Sequence, residues 1–131
     1  MQFDINSRNG FLNVINSSVG PSGVLYIRSG VPPATCADAN TGTELLYIQL
    51  PNEPFTTPTI GYIEKSGIWS CLSAQSAGVA GHYRIMSAST CCMQGVCSEI
   101  SGGGEMQLST VNIQISQPVT VSVFVITAPG Q

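Results

Sequence analysis

The chain has 131 residues, a net charge of −3, 43% hydrophobic residues and only 8% Asp, Glu, Lys and Arg. A soluble domain usually carries about 25% charged residues, so Ser, Thr, Asn, Gln and Gly have to keep this surface in water. Four scattered basic residues, Arg8, Arg28, Lys65 and Arg84, form no stripe able to neutralise phosphates, which argues against nucleic acid as a direct ligand.

Residues 1–11 mix Asn, Ser, Arg and Gly with spaced apolar Phe3, Ile5 and Phe11, the pattern of an N-terminal arm or edge strand that packs on a neighbour rather than on its own core. Those three residues are the candidate assembly contacts. On this reading, removing the arm leaves the fold intact and weakens assembly. Asn9-Gly10 is a favoured turn pair and predicts a first short strand over 11–15, opening a single domain that runs from 12 to 131. The N-terminus lacks the basic and apolar regions of a secretory signal, and no apolar run approaches the roughly twenty residues of a membrane span. Synthesis in the cytoplasm and no membrane partner are therefore expected.

Residues 24–28 form a predicted strand, closed by Ser29-Gly30 and by Pro32-Pro33, which a central strand would not accept. After a polar loop over 33–42, residues 44–50 predict a buried strand, and Pro51, Pro54 and Pro58 mark a connection that cannot be helical. Residues 59–64 and 68–74 flank Lys65-Ser66-Gly67 as a hairpin, with Trp69 anchoring one face. Further strands are predicted over 79–88, 93–100 and 106–113, with a break at Gly102-Gly103-Gly104. No window combines a 3.6-residue period with capping signals, so helix is expected for at most a turn or two. About eight short strands, mainly antiparallel, predict an all-β single-domain sandwich or jelly roll.

The closing run, 119–127, is the strongest strand. Val119, Val121, Val123 and Val125 alternate with Thr120, Ser122, Phe124 and Ile126. The four valines are predicted to form one buried row with Phe124 and Ile126 buried behind it. Val123→Asp is then expected to give insoluble protein, and Ser122→Asp to be better tolerated.

Five cysteines, Cys36, Cys71, Cys91, Cys92 and Cys97, are an odd number, and without an export signal disulfides are not the default. Cys91-Cys92 and Cys97 lack the paired spacing and second ligand pair of a zinc site, so they are expected to be structural, and no metal or cofactor is expected. His82 has no acid, serine or cysteine at a triad spacing. The glycine run has no phosphate-loop spacing and is expected to be a hairpin tip or bulge. Glu99 and Glu105 flank it in no known calcium-loop spacing, and the acids elsewhere are dispersed. No catalytic constellation emerges, and the chain is expected not to be an enzyme.

The ordered elements Ile27-Arg28-Ser29-Gly30-x-Pro32, Ala37-x3-Thr41-Gly42-Thr43-x-Leu45-Leu46, Gly78-x-Ala80-Gly81-His82-Tyr83-Arg84-Ile85, Gln94-Gly95, Gly102-Gly103-Gly104-Glu105-Met106-x-Leu108 and Ile115-Ser116-x2-Val119-Thr120-Val121-x2-Phe124-x-Ile126-Thr127 resemble a group of small all-β virion proteins of tailed bacteriophages and prophages. The similarity covers most of 24–127 and rests on the order of its elements. Where that group has a Gly-Gln pair before the last strand, this chain has Ser116-Gln117-Pro118, and the cysteine cluster also departs from it. The resemblance implies a non-enzymatic capsid decoration (cement) protein, a homo-oligomer with a trimer favoured, that binds the major capsid protein on the outside of the head. The alternative it leaves open is a tail- or fibre-associated module. Such a module would recognise a host glycan through Trp69, Tyr26, Tyr47, Tyr62 or Tyr83. A virion protein made in the host cytoplasm later meets an oxidising exterior, which permits late thiol pairing. The low charge agrees independently with a permanently assembled subunit.

Overall fold

The computed structural model describes residues 1–130. They form a helix, α1 (Ile5–Val19), and nine strands: β1 (Gly23–Ser29), β2 (Glu44–Gln49), β3 (Tyr62–Glu64), β4 (Ser70–Cys71), β5 (Gly78–Ser87), β6 (Thr90–Glu99), β7 (Met106–Leu108), β8 (Asn112–Ile113) and β9 (Val119–Thr127). The strands join in one sheet of order β2-β1-β5-β6-β7-β9-β3, with β4 attached to β9 and β8 to β5. The β6–β7 pair is parallel and the other pairs are antiparallel, so the sheet is mixed. Among the described residues no helix is long and apolar enough to cross a membrane.

The sheet curls around its apolar face. Tyr83 on β5 meets Phe124 on β9 with ring centroids 5.2 Å apart, although β6 and β7 lie between their strands in the sheet. Phe124 also packs at 5.9 Å from Trp69 and 6.0 Å from Phe55, and Trp69 donates its indole N–H to the Ser66 carbonyl at 3.2 Å. Leu25, Ile27, Leu46, Ile48, Ile85, Met106, Leu108 and Val121 surround this aromatic centre. The expected hairpin over 59–74 is not formed, because β3 and β4 each pair with β9 instead of with one another. Trp69 is wholly buried beside them.

The N-terminal segment is corrected outright. Residues expected to be an arm or edge strand, and a first strand over 11–15, instead form the fifteen-residue helix α1. Asp4 caps it by accepting from Ser7 N at 2.8 Å, and Gly20, at φ 64°, ends it with its N–H on the Asn16 carbonyl at 3.0 Å. Leu12 and Val19 are buried on the inward stripe that also carries Arg8 and Ile15. Arg8 Nη2 donates to the carbonyls of Gly61 and Ala128, each at 3.4 Å, while Asn9 bonds Thr59 O at 3.2 Å and Gly61 N at 3.0 Å. Deleting residues 1–11 would remove the cap and these fasteners, so an intact fold no longer follows.

The closing strand changes phase halfway. Leu108 pairs with Val121 but Gln107 pairs with Val123, leaving Ser122 as an extra residue, a β-bulge. One added residue exchanges the faces beyond it. Val119 and Val121 are buried before the bulge and Phe124 after it, whereas Val123 and Val125 are 40% and 43% exposed. The single buried row of valines is therefore not present, and an aspartate at 123 would meet solvent rather than core.

The glycine run is also not a hairpin tip. It turns the chain from β6 back alongside itself within residues 100–105, so that Cys97 and Met106 pair in parallel. A Cβ on Gly104 would sit 2.8 Å from the Ser98 N, and one on Gly102 would sit 2.9 Å from Ser98 Cβ. Only glycine permits so close a return.

Candidate assembly surface

The polar side chains of the central sheet lie on its outer face. Strand pairing sets Tyr47, Tyr26, Arg84 and Gln94 in one row and Glu44, Arg28, His82 and Val96 in the next. Residues 31–43 cross these rows as a strap. Arg84, 2% exposed, donates to the Cys36 carbonyl at 2.7 Å and to Asn40 Oδ1 at 2.6 Å. Gln94 Nε2 donates to the Pro33 carbonyl at 2.7 Å, and Arg28 donates to the carbonyls of Thr41 at 2.7 Å and Gly42 at 3.0 Å. A buried guanidinium is thus held by backbone and amide oxygens, with no carboxylate on it. The ion pair found among the described residues, Arg28–Glu44 at 3.7 Å, stands at the rim of this face.

A disulfide joins Cys36 of the strap to Cys91 on β6, with Cα atoms 5.4 Å apart. Disulfides were not the default expectation for this chain, and the structure forms one. Cys71, Cys92 and Cys97 are free. Cys92, the extra residue where β5 and β6 shift register, points its thiol to the Ser18 carbonyl at 3.4 Å, and burial raises its pKa. Cys97 is pushed up to about 12, by burial first and then by the Glu105 charge, so it stays a protonated thiol rather than a nucleophile.

His82 is fully buried, with Nδ1 2.9 Å from the Gly30 carbonyl. A carbonyl only accepts, so Nδ1 carries the hydrogen. Burial lowers the His82 pKa more than the Gly30 bond raises it, and the Arg28 and Arg84 charges lower it further. The ring is therefore the neutral Nδ1–H form fixing the start of the strap. Gly81 next to it lies against the Gly30 backbone with no room for a Cβ. Glu105 accepts from Tyr83 OH at 3.3 Å and from Val96 N at 3.4 Å, and burial followed by that carboxylate raises the Tyr83 pKa. No three of His, Cys, Asp and Glu gather in a metal geometry among the described residues.

The candidate contacts Phe3, Ile5 and Phe11 come together in part. Phe3 and Phe11 stack edge-to-face at 5.2 Å, and the Phe3 N–H donates to the Gly130 carbonyl at 2.9 Å, so this patch is tied to the segment that follows β9. All three side chains remain partly exposed, Ile5 in the first turn of α1. Elsewhere Val31, Ile68, Leu72 and Ile115 are between 66% and 86% exposed. Of the rings considered for sugar stacking, Trp69 and Tyr83 are buried, while Tyr47 is exposed beside half-buried Tyr26 with centroids 6.3 Å apart. The strap and its arginine anchors were not anticipated. Their one local signal was Arg84 itself, a charge set between Tyr83 and Ile85 in an apolar strand. No family model, curated protein or solved structure matches this chain.

Proposed function

We propose that this protein is a non-enzymatic bacteriophage virion subunit, a capsid decoration protein that binds the major capsid protein on the outside of the assembled head. The observation that carries the reading is a surface poor in charge of either sign that leaves many isolated apolar side chains exposed. All four basic side chains hydrogen-bond within their own fold: Arg8 to Gly61 and Ala128, Arg28 to Thr41 and Gly42, Lys65 to Gly67, and Arg84 to Cys36 and Asn40. Such a surface associates through apolar and backbone contacts, each modest, that add when many subunits engage one lattice. The order of the sequence elements supports the same reading by resemblance. In this reading the curled sheet is a jelly-roll-like sandwich, with β2-β1-β5-β6 as one layer and β7-β9-β3 as the other. The subunit is a homotrimer seated at local threefold positions. It is made in the host cytoplasm and ends in the virion.

The alternative is a tail- or fibre-associated module, and exposed Tyr47 beside half-buried Tyr26 favours it as a sugar-stacking platform. Solution mass of the purified protein, followed by its copy number on purified particles, separates these readings. Hundreds of copies per particle support decoration, and a few to a few dozen support the tail. A strict monomer that is absent from particles overturns both.

A further inference from the structure

Strand β7 is only three residues long, yet it fills the space between two much longer strands, β6 and β9. Before Met106 that space continues without a strand in it. There a cavity of about 340 Å³ opens, with Ile15, Met93, Phe124 and Ile126 on its apolar side and Tyr83, Gln94, Glu105 and Thr127 as its polar members. Where β7 is present, the same two strands hold one strand between them, so the gap has the spacing of a strand at the point where β7 begins.

The edges facing this gap carry unused backbone groups. On β9, Phe124 O accepts from Lys65 N at 3.0 Å and Ala128 N donates to Gly61 O at 2.9 Å, so the even-numbered residues bond toward β3. Thr127, in the opposite phase, therefore turns its N–H and C=O to the gap. On β6, Val96 N bonds Glu105 on the side away from β5, and by the same alternation Gln94 presents its N–H and C=O there as well. Glu105, at the junction of gap and β7, is the charged side chain lining the cavity, and no basic residue faces it among the described residues that line it.

We propose that this gap is a binding site for an extended peptide segment of another protein. The segment adds as a short strand in line with β7, inserts one apolar side chain among Ile15, Met93, Phe124 and Ile126, and places a cationic group on Glu105. Strand addition supplies main-chain hydrogen bonds, and the pocket and the charge supply selection. The incoming segment has to supply the cation, because no Lys or Arg is among the residues that line the cavity beside Glu105. The inference stands independently of the virion reading.

The test uses the full chain and two acetylated, amidated probes, Lys-Val-Leu-Val-Lys and Glu-Val-Leu-Val-Glu, whose symmetric charges serve either strand direction. In amide-resolved NMR titrations, the lysine probe is expected to shift the Gln94 and Thr127 amides. It should bind up to about fivefold more tightly than the glutamate probe, the upper end for an exposed ion pair. In Glu105→Gln protein that preference should vanish while the apolar contribution to binding persists. Lys-probe binding without Gln94 and Thr127 shifts, or equal affinity for both probes, would overturn the proposal. Concentration-dependent shifts of those amides with no probe present would replace the foreign peptide with a second copy of this chain.

Discussion

The strap over residues 31–43 and helix α1 cover two sides of the same sheet by different means. The strap lies on buried Arg84 and half-buried Gln94, each bond fixing a particular oxygen of the strap, while buried His82 holds the Gly30 carbonyl just before it. Helix α1 is seated mainly by Leu12 and Val19 in the core, and its polar fasteners from Arg8 are long, at 3.4 Å. Directional partners in a dry setting give one permitted position and a large penalty when a donor is lost. Apolar seating is graded, because dispersion contacts survive small shifts. The two coverings should therefore respond differently to single losses.

The largest effect is expected from the disulfide. Cys36 and Cys91 are separated by 55 residues, and opening that loop should cost about 4 kcal/mol on the chain-entropy account. Guanidinium denaturation of the Cys36→Ser/Cys91→Ser protein against the parent measures it, and coincident curves would remove the strap as a stabilising element. Next comes Arg84→Ala, which removes the buried guanidinium's hydrogen bonds to the Cys36 carbonyl and Asn40 of the strap and should cost about 3 kcal/mol. Arg8→Ala on the helix side should cost only about 1 kcal/mol in the same guanidinium titration. Should it match Arg84→Ala, the contrast between the two sides fails.

The smallest effect concerns pH. Because His82 has its pKa lowered below the ordinary 6.5 in the fold, the unfolded chain takes up a proton first as pH falls. Its contribution is complete above pH 6.5 and declines as pH drops from there through the folded value. Thermal midpoints between pH 7.5 and 5 should slope downward, and His82→Gln should flatten that slope. An unchanged slope would mean that His82 does not titrate against the strap.

Much of the β character was written in local patterns. The strand at 119–127 announces itself by alternation, that at 44–50 by its apolar run and that at 24–28 by the breakers closing it, and the proline cluster at 51–58 was correctly a non-helical connection. Helix α1 was hidden because its inward stripe includes Arg8, and because Asn9-Gly10, a turn signal elsewhere, sits in its middle. The signals that were present are Asp4 at its start and Gly20 at its end. The bulge at Ser122 leaves no local mark, since the extra residue is defined only by the partner strand, and that is why Val123 was assigned to the wrong face. The Cys36–Cys91 pair likewise depends on a strap whose path is set by Arg84 far along the chain. Of the proposed assembly contacts, Phe3 and Phe11 were legible as neighbours in an apolar patch, but their attachment to Gly130 was not.

The short parallel return from β6 to β7 also constrains the order in which a growing chain can fold. Strand β7 lies between β6 and β9, and β3 and β4, made long before, have β9 as their partner. Helix α1, which precedes every strand, is fastened to Ala128 just after β9. At about 5–20 residues per second the early strands wait for seconds with unpaired edges until residue 128 has emerged. This sheet should therefore close only after β9 has been made, and nascent intermediates should depend on chaperones that shield strand edges.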